Sequence, residues 1–302
     1  MASSQCSEES SPTPVSSPAS PSLGRPDFLR RVEEVKRYIR AGDVYQVNLT
    51  QRFDATTDAT PEALYARLRH FSPSGHAAFL RFDDAAIISS SPELFLHLRD
   101  RVVTTRPIKG TRPRTGHPAI DDGRRRELAK SAKDRAELAM IVDLLRNDLG
   151  RVCEFGSVRV EHEGAIEMHP TVLHRVATIS GRLREDADWC DLLAATFPCG
   201  SVTGAPKIRA MQIIDELEPT ARGVYCGAIG YVGLDGAAQF NVAIRTMVYQ
   251  GGAVQLYAGS GIVADSVAEH EYDETLAKAR GMMLALNTNL AGGSPLAEAA
   301  IA

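Results

Sequence analysis

Several short stretches of this 302-residue sequence carry residue types that could do chemistry. The most concentrated is residues 106–114 (RPIKGTRPR), with four cations and no acid. Pro107 and Pro113 stiffen its backbone, and Gly110 can turn where other residues would clash. Such a segment could present Lys109 and the arginines to an anion, although composition alone fits a basic, solvated loop equally well. Asp134 and Glu137 stand three apart in a helical pattern, with Glu137 on the face of Ile141 and Leu144. A carboxylate on a burying face needs a cation or a donor to meet it. Glu271, Glu274 and Lys278 form a second acidic group, and the four-residue spacing of the last two also fits a surface ion pair. Residues 200–207 (GSVTGAPK) precede a helix, whose free N–H groups with Ser201, Thr203 and Lys207 suit a carboxylate or phosphate. Their spacing is not that of a Walker A loop. Gly259 and Gly261 allow main-chain N–H groups close to a ligand, as would an ordinary turn. His174 is a lone histidine in an alternating pattern, where a hydrogen-bonded structural role is the common one.

The elements that must position these residues follow from periodicity. Helical spacing predicts helices over residues 27–41, 61–71, 124–149, 189–197, 206–217 and 267–290. Alternation over residues 44–53 predicts a strand with Tyr45, Val47, Leu49 and Phe53 on one face and Gln46, Asn48, Thr50 and Arg52 on a polar face. Strands are expected at 77–82, 86–90, 94–98 and 102–105, as an antiparallel meander, and then at 157–163, 171–183, 224–234, 239–249 and 254–257. Residues 1–24, rich in Ser and Pro, read as a disordered tail or linker. Residues 25–290 are the expected catalytic domain and 291–302 a frayed tail.

Composition bounds the function class. With 44% apolar and 24% charged residues the sequence is that of an ordinary globular protein with a large core. A net charge of −4 and the absence of a long basic run give no case for nucleic acid. No stretch approaches the ~20 apolar residues of a membrane span. Five cysteines without a Cys-x-x-Cys pair argue against a disulfide framework and a zinc site. A reducing, cytoplasmic setting is the default.

Taken in order, residues 41–51 (AGDVYQVNLTQ), 91–93 (SPE), 107–112 (PIKGTR), 136–148 (AELAMIVDLLRND), 200–207, 259–265 (GSGIVAD) and 271–275 (EYDET) resemble the chorismate-utilising enzymes. Within that family they are most similar to component I of the aminodeoxychorismate synthases. The resemblance implies an α+β fold, the anthranilate synthase component I-like sandwich of two mainly antiparallel sheets with helices outside, its N-terminal part short or missing. It implies Mg²⁺ bound by Glu137 and Glu274, with Asp134 and Glu271 supporting, although Asp134 is one methylene shorter than the usual Glu. It puts Gly259 and Gly261 on one substrate carboxylate, Arg245 and Tyr231 on the other acidic arm, and Gln46, Thr203, Gly204 and Lys278 in the binding region. Glu93 matches the family's general acid, which helps the C4 hydroxyl leave. Lys109 matches a lysine nucleophile at C2, its neutral amine favoured by burial and by neighbouring Arg106 and Arg112. His174 matches a histidine near the departing pyruvyl group in anthranilate synthases.

Gln46 with Lys109 implies attack by ammonia at C4 of chorismate, giving 4-amino-4-deoxychorismate for p-aminobenzoate and folate synthesis. The ammonia would come from a separate glutamine amidotransferase subunit. Anthranilate synthase component I is the nearest alternative, with Lys109 against it. A non-catalytic chorismate-binding or subunit-interaction protein is the alternative from another class.

Overall fold

A computed structural model describes residues 14–169 and 172–291. The chain opens with β1 (Ser20–Pro21) and α1 (Arg25–Ala41), whose Phe28, Val32 and Val35 are buried as the spacing predicts. β2 (Gln46–Thr56) and α2 (Pro61–Phe71) follow; the Thr60 hydroxyl accepts from the Ala63 N–H and starts the helix. Next come β3 (His76–Arg81), β4 (Ala85–Ser91), β5 (Leu94–Arg99), β6 (Val102–Arg106) and β7 (Ile108–Pro113). Two helices, α3 (Pro118–Lys130) and α4 (Ala132–Gly150), lead to β8 (Arg159–Met168) and β9 (Val172–Arg182). Then follow α5 (Trp189–Thr196), a 3-10 turn (Gly200–Val202), β10 (Gly204–Ala205) and α6 (Lys207–Leu217). The chain continues through β11 (Ala228–Val232), β12 (Ala238–Val242), β13 (Thr246–Gln250), β14 (Ala253–Ile262) and α7 (Ala268–Leu286).

Among the described residues the strands form two seven-stranded sheets, every named pairing antiparallel. The first runs β1-β2-β14-β13-β4-β3 with β10 on β2, and the second β11-β12-β5-β6-β9-β7 with β8 on β9. Leu64, Leu68, Met282 and Met283 of α2 and α7 bury against Phe53, Ile88 and Met247 of the first sheet. Leu138, Ile141 and Leu145 of α4 bury against Phe95, Val103 and Ile179 of the second. This is the α+β sandwich expected from the motifs.

Two expected strands prove decisive for the site. Residues 239–249, which read as one strand, divide into β12 and β13 on different sheets. Arg245, left-handed at φ 52°, sits just ahead of β13. Pro92 and Glu93 make the corresponding change of sheet between β4 and β5. The two changes are tied together: Val242 N–H donates to the Glu93 carbonyl (3.1 Å) and the Ser91 hydroxyl to the Val242 carbonyl (2.6 Å).

Other boundaries move for local reasons. The single helix expected over 124–149 breaks at Ser131, whose hydroxyl accepts from the Asp134 N–H and caps α4, while Arg175 donates to the last carbonyls of α3. The final helix stops at Leu286 because Asn287 adopts φ 55°, and its N–H closes back on the Leu284 carbonyl. The expected tail also shortens. Residues 14–24 are packed: β1 pairs with β2, Ala19 and Leu23 are buried, and Ala19 exchanges backbone hydrogen bonds with Asn289 and Ala291. Small side chains let this segment lie close between β2 and the end of α7. Residues 1–13 and 292–302, the rest of the two expected tails, lie outside the described residues. The polar face of β2 is not solvated: Gln46, Asn48 and Thr50 are buried, whereas Tyr45 is exposed.

Candidate active site

A cavity of about 300 Å³ opens between the sheets, walled by the sheet changes, β7, β9, β14, the 3-10 turn and the facing sides of α4 and α7. It gathers Glu93, Lys109, Asp134, Glu137, His174, Arg245, Gly259, Gly261, Glu271, Glu274 and Lys278 from the residues singled out in sequence.

Glu93 reaches it from the first sheet change and is 5% exposed. Burial pushes its carboxyl up to about 7, with the Ser201 hydroxyl, Lys109 and Lys278 pulling the other way. Its Oε1 has no hydrogen-bond partner among the described residues. A carboxyl held near neutrality can give up a proton at physiological pH.

Lys109 is aimed by a bulge. Ile108 pairs with Val176 but Thr111 with His174, so β7 carries one extra residue there. Gly110 makes this turn at φ 85°, and a Cβ at that position would stand 2.8 Å from the Asp134 carboxyl carbon. Burial lowers the Lys109 pKa, opposed by Glu137, Glu93 and Glu274 and aided by Lys278. The amine donates to the Ser201 carbonyl at 3.5 Å. Arg106 and Arg112 are not the cause expected for this shift. Arg106 pairs with Glu167, and Arg112 with Glu127 (2.7 Å) and Asp134 (3.2 Å).

His174 hydrogen-bonds the Thr111 hydroxyl through Nδ1 at 2.9 Å. Burial, then His169 and Arg245, push its pKa down to about 3, so the ring is neutral across the physiological range. Arg245 faces the cavity with no hydrogen bond or ion pair from its guanidinium to the described residues. A desolvated, unpaired cation in a strained backbone position is a seat for an anion.

The helices bring the carboxylates. Asp134 and Glu137 lie on successive turns of α4, Glu271 and Glu274 on α7. Each of three has a cation: Asp134 has Arg112, Glu137 has Lys133 (3.8 Å) and Glu274 has Lys278 (2.7 Å). Lys278 holds Glu274 below the usual carboxylate range. Burial raises Glu137, and Glu274 and Asp134 raise it further against Lys109 and Lys133. Hard oxygen donors that repel one another across a cavity suit Mg²⁺, which takes one or two carboxylates and completes its shell with water and substrate oxygens. Among the described residues no group of three or more acidic, histidine or cysteine side chains is placed to hold a metal ion together.

Four expected residues do not line the cavity. Gln46 is wholly buried behind Gly261: a Cβ there would stand 3.1 Å from the Gln46 Nε2. Its amide has no partner among the described residues. Thr203 turns its hydroxyl onto the Cys199 carbonyl (3.1 Å). Gly204 pairs with β2 at φ 145°, where a Cβ would meet the Gln46 carbonyl at 2.1 Å, so its glycine serves close backbone approach. Tyr231 is 62% exposed on β11, an edge strand whose residues from Gly230 to Val232 are all exposed. The cavity tyrosines are Tyr225 and Tyr257, stacked at 5.2 Å. No periodic pattern marks Tyr225, which sits in the loop before β11; Tyr257, just ahead of the Gly259 run, had a positional hint. Lys207 is likewise no ligand, since it is bound to Asp148 (2.6 Å) and the Thr196 carbonyl (2.8 Å).

Residues 2–284 match the family described as chorismate binding enzyme. Over 86% of its length the chain is 46% identical to aminodeoxychorismate synthase component 1 of Bacillus subtilis, covering 55% of that protein. It is 47% identical to anthranilate synthase component 1 of Geobacillus stearothermophilus over 89% of its length, covering 53% of that protein. The chain thus spans about half the length of the curated relatives it matches. The crystal structure of anthranilate synthase component I from Streptococcus pneumoniae superposes with a TM-score of 0.81 at 40% identity, over 88% of this chain and 60% of that one. No helix among the described residues is long and apolar enough to cross a membrane.

Proposed function

The chain belongs to the chorismate binding enzyme family, and from that premise we propose that it aminates chorismate at C4 with ammonia to give 4-amino-4-deoxychorismate. The observation that carries this reading is Lys109, a lysine with a lowered pKa aimed by a bulge into the cavity that also holds Glu93. Overall identity does not choose between amination at C4 and the anthranilate reaction, because relatives of both kinds stand at 46% and 47%.

In the proposed reaction the neutral Lys109 amine attacks C2 of chorismate. The ring double bond shifts, and the C4 hydroxyl takes the Glu93 proton and leaves as water. Ammonia then attacks C4, the double bond shifts back, and Lys109 departs as the amine. The ammonia loses its extra proton to the Glu93 carboxylate, which restores the acid. Arg245 accepts one substrate carboxylate. Mg²⁺, held by Glu137 and Glu274 with Asp134 and Glu271 behind them, would supply positive charge for the other. His174, neutral, offers a hydrogen bond and no charge. A glutamine amidotransferase subunit is the proposed source of ammonia.

Purified chain with chorismate, Mg²⁺ and an ammonium salt at mildly alkaline pH, its products separated by chromatography, tests the reading. 4-Amino-4-deoxychorismate, lost in Lys109→Ala, is the expected result. Anthranilate as the product overturns it in favour of the sister reaction. Absence of turnover, with a glutaminase subunit also supplied, favours a non-catalytic binder.

A further inference from the structure

Of the cations in residues 106–114, the proposed reaction uses Lys109 and leaves Arg112 without a part. Lys109 has a long, flexible stem, and among the described residues its amine makes one hydrogen bond, the 3.5 Å contact with the Ser201 carbonyl. Where the amine points therefore depends on where the backbone of the Gly110 bulge is held. We propose that Arg112 is a positioning residue: its guanidinium clamps that bulge onto the corner between α3 and α4 and so aims Lys109. The catalytic meaning of the clamp rests on the amination reading.

Each guanidinium nitrogen holds a different part. Nη1 donates to the Thr111 carbonyl of the bulge (2.9 Å), Nε to Glu127 of α3 (2.7 Å) and Nη2 to Asp134 of α4 (3.2 Å). A planar fork fixes the angles between such partners, which a single ammonium does not. The corner is itself firm. Arg175 of β9 donates to the carbonyls of Leu128 (2.6 Å) and Ala129 (2.7 Å) at the end of α3, and the Ser131 hydroxyl caps the start of α4.

The bulge lies directly on this corner. A Cβ at Gly110 would stand 2.8 Å from the Asp134 carboxyl carbon and 2.9 Å from Leu128 Cδ1, and Leu128 is wholly buried and cannot give way. On its other side the bulge is held to β9, where Thr111 pairs with His174 and its hydroxyl meets the ring at 2.9 Å. The bulge is thus gripped between β9 and the corner, and Arg112 supplies the ionic link. Arg112 also lines the cavity, so its rival role is to release both acids and bind a substrate carboxylate. That exchange would leave the shielded Asp134 carboxylate without its arginine, and the two ion pairs in place favour the clamp.

The test pairs steady-state kinetics with competitive acetylation of the full chain, Lys109 being followed by peptide mass spectrometry across a range of pH. Arg112→Ala should lower kcat about 10²-fold, the scale for a reacting group displaced by about 1 Å, with KM changed by no more than about twofold. Arg112→Lys, which restores one ion pair, should recover about tenfold of that loss. The acetylation midpoint of Lys109, held below the ordinary lysine range in the parent, should rise in Arg112→Ala as the amine swings toward water. Glu127 is 63% exposed on α3, so Glu127→Gln keeps the fold. It should lower kcat about threefold alone and add nothing to Arg112→Ala in the double variant. A raised KM with unchanged kcat makes Arg112 a substrate ligand and overturns the proposal. So does an unmoved acetylation midpoint in a folded Arg112→Ala chain, or a Glu127→Gln effect that adds in full. Should Arg112→Ala not fold, Arg112→Lys and Glu127→Gln carry the same comparison. Parent chain that makes no aminated product sinks the amination reading, while acetylation still tests the clamp.

Discussion

The sheet side and the helix side of the cavity hold their ionisable groups by opposite means. Glu93, Lys109, His174 and Arg245 come from strands, a bulge and the two changes of sheet. There they are desolvated with few partners, and their proton affinities move accordingly: Glu93 upward, Lys109, His174 and Arg245 downward. The helix carboxylates Asp134, Glu137 and Glu274 each have a cation at hand. A strand interior cannot bend to bring a counter-charge to a chosen side chain, whereas long side chains on a helix surface can reach one a turn away. The sheet side is therefore suited to groups that react. The helix side is suited to groups that exchange one cation for another.

The sharpest way to break this contrast is to remove the reacting groups. Glu93→Gln and Lys109→Ala should each lower kcat for ammonia-dependent turnover by roughly 10²–10⁴-fold, measured by product chromatography. A loss under tenfold in either would put Glu93 or Lys109 on a par with the helix groups. Arg245→Gln should weaken chorismate binding by about 10²-fold in a direct titration, because the desolvated cation has no hydrogen bond or ion pair to the described residues that would compensate.

Stability offers an independent measure. The folded chain keeps the Glu93 proton up to about 7, while an ordinary carboxyl at 4.5 has already released it. The unfolded chain therefore binds fewer protons between these values, and Glu93 costs folding stability progressively as pH rises from about 4.5 to about 7. Glu93→Gln should thus gain up to about 3 kcal/mol over the parent at pH 8 and lose that advantage below pH ~4.5, read by denaturant titration at the two pH values. No pH dependence in the difference would mean that the carboxyl is solvated.

On the helix side the effects are expected to be smaller. Glu137→Gln or Glu274→Gln should raise the Mg²⁺ needed for half-maximal activity by roughly 10-fold or more, with the folded structure retained. The smallest expected effect separates the two tyrosines. Tyr231→Ala should leave turnover unchanged and stability within about 0.5 kcal/mol, as an exposed edge-strand residue. Tyr225→Ala, which removes one ring of the cavity stack, should impair both.

Much of the helix side was legible in the sequence. Three- and four-residue spacing alone put Asp134 with Glu137 and Glu274 with Lys278, and each pair is found on one side of its helix at the cavity. The cap that starts α4 was missed, since Ser131 lies inside a continuous helical pattern and its effect depends on Arg175 ending α3 from another strand. On the sheet side the motif residues were legible as types, but not their surroundings. The arginines beside Lys109 looked like its electrostatic neighbours and proved to be committed to Glu167, Glu127 and Asp134. Tyr231 was expected in the site from motif position, and its place near the exposed end of an edge strand keeps it out of the cavity.

The sequence by itself determined which segments coil or extend, which faces bury, where the backbone can turn at Gly110, and which acids and amines exist to be used. These are properties of neighbours along the chain, set by residue type and period. Only the tertiary structure decided that residues 239–249 divide between two sheets, that Glu93 and Arg245 sit where the chain passes from one to the other, and that the Lys109 amine meets the Ser201 carbonyl. An alternating strand pattern is the same on either sheet, and the shift in a buried group's proton affinity depends on what packs against it from far away in sequence.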